Sequence, residues 1–262
     1  MISSASNPKL RHIRSLARAA ARAREGRFVI EGMRLVEDAL DAGVAPALAV
    51  VSAAWGESER AAALLARLGD RSVPVFTVAP AVFAGLAGTE SPQGILAVVP
   101  KSETPLPARL DLVVVVDGMR DPGNLGTLLR TAAAAGVDGV LLAPGTVDAT
   151  NPKVVRAAMG AHFRMPIAAR DWAGIAETLR AGSPGGVPAW LADAGGEHDY
   201  ARVDWALPAA VVIAGEAHGP SDAARALAAA TVRIPMPGGV ESLNAATAAA
   251  VILFEALRQR RV

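Results

Sequence analysis

Short, unbroken apolar runs alternate with amphipathic stretches along the chain, the pattern of strands buried on both faces and of the helices that cover them. In the first hundred residues this predicts strands at 28–30, 48–51, 73–78 and 95–99, with helices over 33–42 and 57–68 between them. The alternation describes a small α/β domain. Ahead of it, residues 7–24 read as one helix, with Asn7 as cap and Pro8 in the tolerated first turn. With a repeat of about 3.6 residues, Leu10, Ile13, Leu16, Ala17 and Ala20 fall on one side. Arg11, Arg14, Arg18 and Arg22 fall on the other.

The polar stretch Lys101-Ser-Glu-Thr-Pro-Leu-Pro-Ala-Arg109 interrupts the pattern as a linker does. The domains expected are therefore 1–100, a linker at 101–109, and 110–262. The second half opens on the strand 112–116 and continues with strands at 139–142, 189–192, 209–214 and 232–235. Helices are expected at 124–135, 153–159 and 242–258. Continuous apolar strands separated by helices imply a mostly parallel sheet with both faces covered.

A chain of 262 residues, 52% hydrophobic and 19% charged, is long enough for one or two cores, which excludes a disordered tail protein. The absence of cysteine removes disulfide scaffolds, thiolate nucleophiles and sulfur-ligated metal centres. No apolar run reaches the ~20 residues of a membrane span, and Met1-Ile-Ser-Ser4 has no apolar signal core, so a cytoplasmic protein is expected. The net charge of +1 conceals a basic front end, because residues 1–27 hold seven Lys and Arg against the single acid Glu25. Of 26 basic residues 23 are arginine, whose planar donor fork suits phosphate. The arginine stripe is thus either a solvated face or an RNA-facing surface.

Three segments place glycine and polar residues just after a buried strand, where open α/β sheets hold ligands. The first runs from Asp117 to Arg130, with Asn124 as a helix cap and Gly126 one turn before Arg130. Its plain alternative is a capped core helix whose arginine pairs with a nearby acid. The second is Val211-Val-Ile-Ala-Gly-Glu-Ala-His-Gly219, in which small residues let backbone approach a ligand beside Glu216, and His218 is either titrating or simply hydrated. The third runs from Val232 to Thr247, where a Pro/Gly turn feeds a long helix capped by Ser242, with Asn244 in its first turn.

Common cofactor signatures are missing. No Gly-x-Gly-x-x-Gly follows a strand and no phosphate-binding Gly-x-x-x-x-Gly-Lys-Ser/Thr occurs, which argues against nicotinamide dehydrogenases and P-loop NTPases. His12, His162, His198 and His218 lack metal-ligand spacing, so no metal is expected. The serine-hydrolase elbow Gly-x-Ser-x-Gly is absent as well.

In this order, Asp121-Pro-Gly-Asn-Leu-Gly-Thr-Leu-Leu-Arg-Thr-Ala132, Gly215-Glu-Ala-His-Gly219 and Ile234-Pro-Met-Pro-Gly-Gly-Val-Glu-Ser-Leu-Asn-Ala245 resemble the three motifs of the SpoU/TrmH family of RNA ribose 2'-O-methyltransferases, within the SPOUT superfamily. The segment from Asn151 to Pro166 is also similar to that family. The front half resembles its ribosomal-protein-like RNA-binding domain through Ser6-Asn-Pro-Lys9, Phe28-Val-Ile-Glu-Gly32 and Ser91-Pro-Gln-Gly94. The resemblance spans nearly the whole chain. It implies an α/β fold with a deep trefoil knot in the C-terminal sheet, a homodimer, S-adenosylmethionine as cofactor, and a ribose in structured RNA as substrate. Residue by residue it implies catalytic-site positions at Asn124, Arg130, Glu216, Ser242 and Asn244, and cofactor contacts at Ala214, Gly215, Ile234, Met236 and Leu243. RNA contacts are expected from Arg11, Arg14, Arg18 and Arg22.

The chain departs from the family pattern at Ala214 and Gly215, where Gly followed by Asn or Thr is usual, and at Ala245, where Val is common. A guanidinium is a poor proton acceptor. Arg130 is therefore expected to clamp an RNA phosphate and polarise the hydroxyl, with phosphate or water taking the proton. Ser242 and Asn244 then orient the reacting groups, and Glu216 fixes its neighbours. Ribosomal RNA is the favoured target because of the added front domain. Transfer RNA methylation and a non-catalytic RNA-binding or ribosome-assembly role are the alternatives.

Overall fold

A computed structural model describes residues 1–261 apart from 5, 57, 89, 90, 102, 103, 217 and 218. Two compact units result, Met1–Ser102 with Thr150–Phe163, and Glu103–Ala149 with Arg164–Val262.

In the first unit, strands β1 (Arg27–Glu31), β2 (Leu48–Ser52), β3 (Val75–Val78) and β4 (Ile95–Pro100) form a sheet in the order β1-β4-β2-β3. β4 runs antiparallel to both β1 and β2, whereas β2 and β3 are parallel. Alternate residues of the same strands feed two cores. Phe28, Ile30, Val51 and Ala97 pack with Leu35, Val36, Leu40, Leu64 and Leu68 of helices α3 (Met33–Asp41) and α4 (Glu59–Asp70). Val50, Leu96 and Val98 pack on the opposite side against Leu10, Ile13, Leu16 and Phe83, the last from the short helix α5 (Pro80–Ala84). Burial on both faces explains why these strands read as continuous apolar runs.

The front helix is broken in two, α1 (Pro8–Ser15) and α2 (Ala19–Glu25), and the break corrects the predicted arginine stripe. Ser15 Oγ donates to His12 O at 2.6 Å, and the chain turns through Leu16 to Arg18. Arg22 then points inward. It is 4% exposed, and its guanidinium donates to Leu16 O at 3.0 Å, Ala17 O at 2.8 Å and Thr150 Oγ1 at 3.0 Å. The charge thus satisfies carbonyls released where α1 ends, as cations do at helix C-termini. Arg11 and Arg18 remain exposed, and Arg14 is half-buried with its Nε 3.4 Å from Gly85 O. Ala17 and Ala20, expected on the buried side, face solvent, because the break rotates α2 relative to α1.

The second unit holds a seven-stranded, wholly parallel sheet in the order β7-β6-β5-β10-β8-β11-β9. Its strands are β5 (Leu112–Asp117), β6 (Gly139–Leu142), β7 (Ile167–Ala169), β8 (Ala189–Ala192), β9 (His198–Asp199), β10 (Ala209–Ala214) and β11 (Ala230–Arg233). Helices α6 (Pro122–Ala135), α8 (Trp172–Ala181), α9 (Asp222–Leu227) and α10 (Ala245–Arg260) belong to the same unit. β5 and β10 pair over their full length, from Ala209 opposite Leu112 to Ala214 opposite Asp117. The two loops that follow them therefore leave the sheet side by side.

Helix α7 (Pro152–Ala158), expected as part of the second domain, joins the first unit. The reason is its apolar face: Val155 is 3% exposed and belongs to the core around Phe28, and Phe28 also lies 5.6 Å from the His162 ring and 6.4 Å from that of Phe163.

Replacing Arg22 by Met removes a buried cation and leaves its carbonyl partners unsatisfied, so stability is expected to fall by about 2–4 kcal/mol, whereas Arg18→Ala on the surface stays within about 0.5 kcal/mol. Urea unfolding of the full chain reads both. Equal stability of the two variants contradicts the inward role of Arg22.

Candidate active site

The parallel sheet brings the three motif segments to one edge. After β5 the chain is held at Asp117, whose carbonyl accepts from Gly215 N at 2.8 Å and whose buried Oδ2 accepts from Ser221 N at 2.7 Å. Asp121, not Asn124, caps α6: its Oδ1 accepts from Asn124 N at 2.7 Å, and Pro122 fills the first turn where no amide is required. This frees the Asn124 side chain. Likewise α10 begins at Ala245 with Asn244 as its cap, and Ser242 lies before the helix, exposed. Asn244 wins the position because its Oδ1 reaches both Ala246 N at 3.0 Å and Thr247 N at 3.2 Å.

With its oxygen committed to the cap, the Asn244 amide must turn its nitrogen outward. Nδ2 donates to Asn124 Oδ1 at 3.0 Å and to Glu216 Oε1 at 2.7 Å. Asn124 Nδ2 donates to the same Glu216 oxygen at 3.1 Å, and so does Ala245 N at 3.2 Å. One carboxylate oxygen thus ties together the start of α6, the end of β10 and the start of α10. A carboxylate with one oxygen taken by a set of donors is built to hold neighbours in position.

Glu216 also faces a cavity of about 340 Å³ at the carboxyl ends of β8, β10 and β11. Ala214, Gly215, Ile234, Met236 and Leu243, all expected as cofactor contacts, line it together with Ser242. Its walls are mainly apolar, with carboxylates from Glu216 and Asp193, a lining suited to a ligand that is part aromatic and part polar. Gly215 presses its backbone against the β5 loop: a Cβ there would lie 2.7 Å from Gly118 O and 3.0 Å from Met119 Cα. No polar side chain fits at that position without moving the loop, which explains glycine in place of the usual Asn or Thr.

Arg130, eight residues into α6, is exposed and has no hydrogen-bond or ion-pair partner among the described residues. The plain alternative of an arginine paired with a neighbouring acid is therefore not what is found. Gly126, a turn earlier, is buried. His218 lies outside the described residues. Among the described residues no three His, Asp or Glu side chains cluster as a metal site would require.

Asp193 was not anticipated. It follows β8 and lines the cavity, its Oδ1 accepting from Gly195 N at 2.9 Å and its Oδ2 lying 3.7 Å from Arg225. The signal was present, since Asp193-Ala-Gly-Gly196 is another polar, glycine-bearing turn after a buried strand. Ile252 and Ala248 line the cavity from α10 at helical spacing from Ala245, a face indistinguishable in sequence from ordinary core.

Residues 111–254 match the model of the SpoU rRNA Methylase family, and residues 7–97 that of the MRM3-like substrate binding domain. The chain is 35% identical to mitochondrial rRNA methyltransferase 3 of Mus musculus, over 92% of its own length and 69% of that protein's. It is 32% identical to the 23S rRNA (guanosine(2553)-2'-O)-methyltransferase RlmP of Bacillus subtilis, over 97% of each chain. The crystal structure of an AdoMet-bound rRNA methyltransferase from Sinorhizobium meliloti superposes with a TM-score of 0.85 at 32% identity, covering 98% of this chain and 97% of that one.

Filling the Gly215 contact with a larger residue is expected to cost about 1–3 kcal/mol, as overpacking does. Gly215→Asn should lose stability in urea and bind S-adenosylmethionine more weakly in calorimetry. Parental stability together with parental affinity contradicts the close approach of the two loops.

Proposed function

The chain belongs to the SpoU rRNA Methylase family, and we propose that it transfers a methyl group from S-adenosylmethionine to a ribose 2'-hydroxyl of ribosomal RNA. The observation that carries this reading is the double role of Glu216, which lines the cavity and at the same time fixes Asn124 and Asn244 beside it. The cavity suits the cofactor: its volume lies within the ~300–1,000 Å³ of small-molecule sites, and its apolar walls carry only a few polar groups. Ala214, Gly215, Ile234, Met236 and Leu243 would hold it. Bound there, S-adenosylmethionine supplies a methyl group already activated by its sulfonium.

The chain's own work is then chiefly alignment. Ser242, exposed at the cavity rim, and Asn244 orient the ribose hydroxyl. Arg130 offers an unpaired planar fork to an RNA phosphate and polarises the hydroxyl through it. The proton leaves to phosphate or water, since a guanidinium does not accept it. Glu216 acts through Asn124 and Asn244 as a positioning residue.

Ribosomal rather than transfer RNA is supported by the substrate-binding domain matched at residues 7–97 and by the rRNA-directed relatives. Of the four arginines expected to contact RNA, Arg11 and Arg18 are exposed and Arg14 is partly available, while Arg22 is buried. The reading also includes a trefoil-knotted path through the second unit, as the resemblance to the family implies. It includes a homodimer, as the resemblance to the family implies. The compartment proposed is the cytoplasm, supported by the Bacillus relative that matches almost end to end. No helix among the described residues is long and apolar enough to cross a membrane.

Mapping ribose methylation across total RNA from cells lacking the protein is expected to show one or more ribosomal 2'-O-methyl groups lost, restored by the parent chain and not by Arg130→Ala. In single-turnover assays Arg130→Ala should lose ~2–4 kcal/mol of transition-state stabilisation and Arg130→Lys less, both with parental cofactor affinity. An unchanged ribosomal methylation pattern contradicts the proposed activity, and parental rates for Arg130→Ala contradict the clamp.

A further inference from the structure

Arg120 lies in the β5–α6 loop. Its side chain is exposed and makes no hydrogen bond or ion pair among the described residues. The backbone on either side of it, by contrast, is fixed. Met119 before it is 1% exposed, and its carbonyl accepts from Val147 N at 2.9 Å. Asp121 after it caps α6, its Oδ1 accepting from Asn124 N at 2.7 Å.

Those same neighbours locate Arg120 at the catalytic centre. Met119 is the residue against which Gly215 closes, at 3.0 Å from Met119 Cα to a Cβ built on Gly215, and Gly215 is a wall of the cavity. Asp121 holds the amide of Asn124, whose side chain donates to Glu216. Arg120 is thus an unpaired arginine on a loop anchored at both ends, flanked in sequence by one residue that packs on the cavity wall and one that holds the Glu216 network. Such anchoring spares most of the ordering entropy that a flexible cation pays when it binds.

Resting on the methyl-transfer reading, we propose that Arg120 is a second phosphate contact of the site, gripping the RNA backbone on one side of the target ribose while Arg130 grips it on the other. A ribose within a strand has a phosphodiester on each side, and one clamp alone leaves the sugar free to swing about it. Two arginines, one before α6 and one within it, hold both flanks. The contact reads backbone and not base, so it affects every RNA that enters the site.

Full-length protein and a ribosomal RNA transcript carrying the mapped nucleotide test this. In equilibrium binding, which needs no turnover, Arg120→Ala should weaken RNA affinity about five- to tenfold and lower the log-log salt slope by about 0.7 to 0.9. Arg120→Lys should recover most of the affinity, and S-adenosylmethionine binding should not change. A neutral methylphosphonate at one flanking phosphate should then slow methyl transfer by the parent and add little to Arg120→Ala, while the other flank couples in the same manner to Arg130→Ala. Parental affinity and salt slope in Arg120→Ala overturn the proposal even if methylation proceeds normally. Coupling of both arginines to one and the same phosphate overturns the two-sided grip. A parent chain that binds the RNA with the expected salt response yet transfers no methyl group would instead count against the activity, and the Arg120 binding arm would still be read.

Discussion

The site depends on Glu216 Oε1, an acceptor shared by Asn124 Nδ2, Asn244 Nδ2 and Ala245 N. Each donor comes from a segment fixed by something else. Asn124 is placed by the Asp121 cap, Asn244 by its own capping of α10, and Ala245 N by the first turn of that helix. The carboxylate therefore joins three already rigid pieces, and the entropy of ordering them is met by the fold and not by the ligand. Loss of this oxygen would leave Ala245 N, the first amide of α10, without its acceptor, free Asn124 Nδ2, and leave Asn244 Nδ2 with Asn124 Oδ1 alone.

The convergence requires the central pair of the sheet. β5 and β10 run parallel and in full register, so Asp117 and Ala214 end together, and the next residues must pass one another at close range. Gly215 is the price of that passage, because a Cβ would run into Gly118 O. Asp117 secures the crossing from below, accepting from Gly215 N and Ser221 N. Packing at the sheet edge thus sets the shape of the cavity, and the cavity wall in turn presents Glu216 to the asparagines.

Much of this architecture was legible in the sequence where periodicity and burial agree. β6, β8 and β10 fall on the predicted residues because an apolar run buried on both faces has no competing reading. Elements whose cohesion lies in tertiary contacts were missed or misjudged. β7 and β9 are very short edge strands, and α9 is six residues long. The front helix read as continuous because its apolar spacing survives the turn at Leu16 to Arg18, and nothing local reveals that Arg22 would fold back on Leu16 O and Ala17 O. Ala214, Gly215, Ile234, Met236 and Leu243, the positions expected from the family motifs to contact the cofactor, all line one cavity. Composition alone could not have separated Asp121 from Asn124, or Ser242 from Asn244, as helix caps, since each is a competent capping residue. At α6 the Asp121 cap leaves the Asn124 side chain to Glu216, whereas at α10 Asn244 caps with its oxygen and donates to Glu216 with its nitrogen.

If Glu216 works as a staple for Asn124 and not as an independent group, the two residues are coupled. A double-mutant cycle on single-turnover methyl transfer, with Glu216→Ala, Asn124→Ala and the pair, measures this directly. The account predicts that the second substitution costs little once the first is made, a coupling of about 1–3 kcal/mol. Strictly additive losses would contradict it, because two residues acting through one hydrogen-bonded network cannot be removed independently.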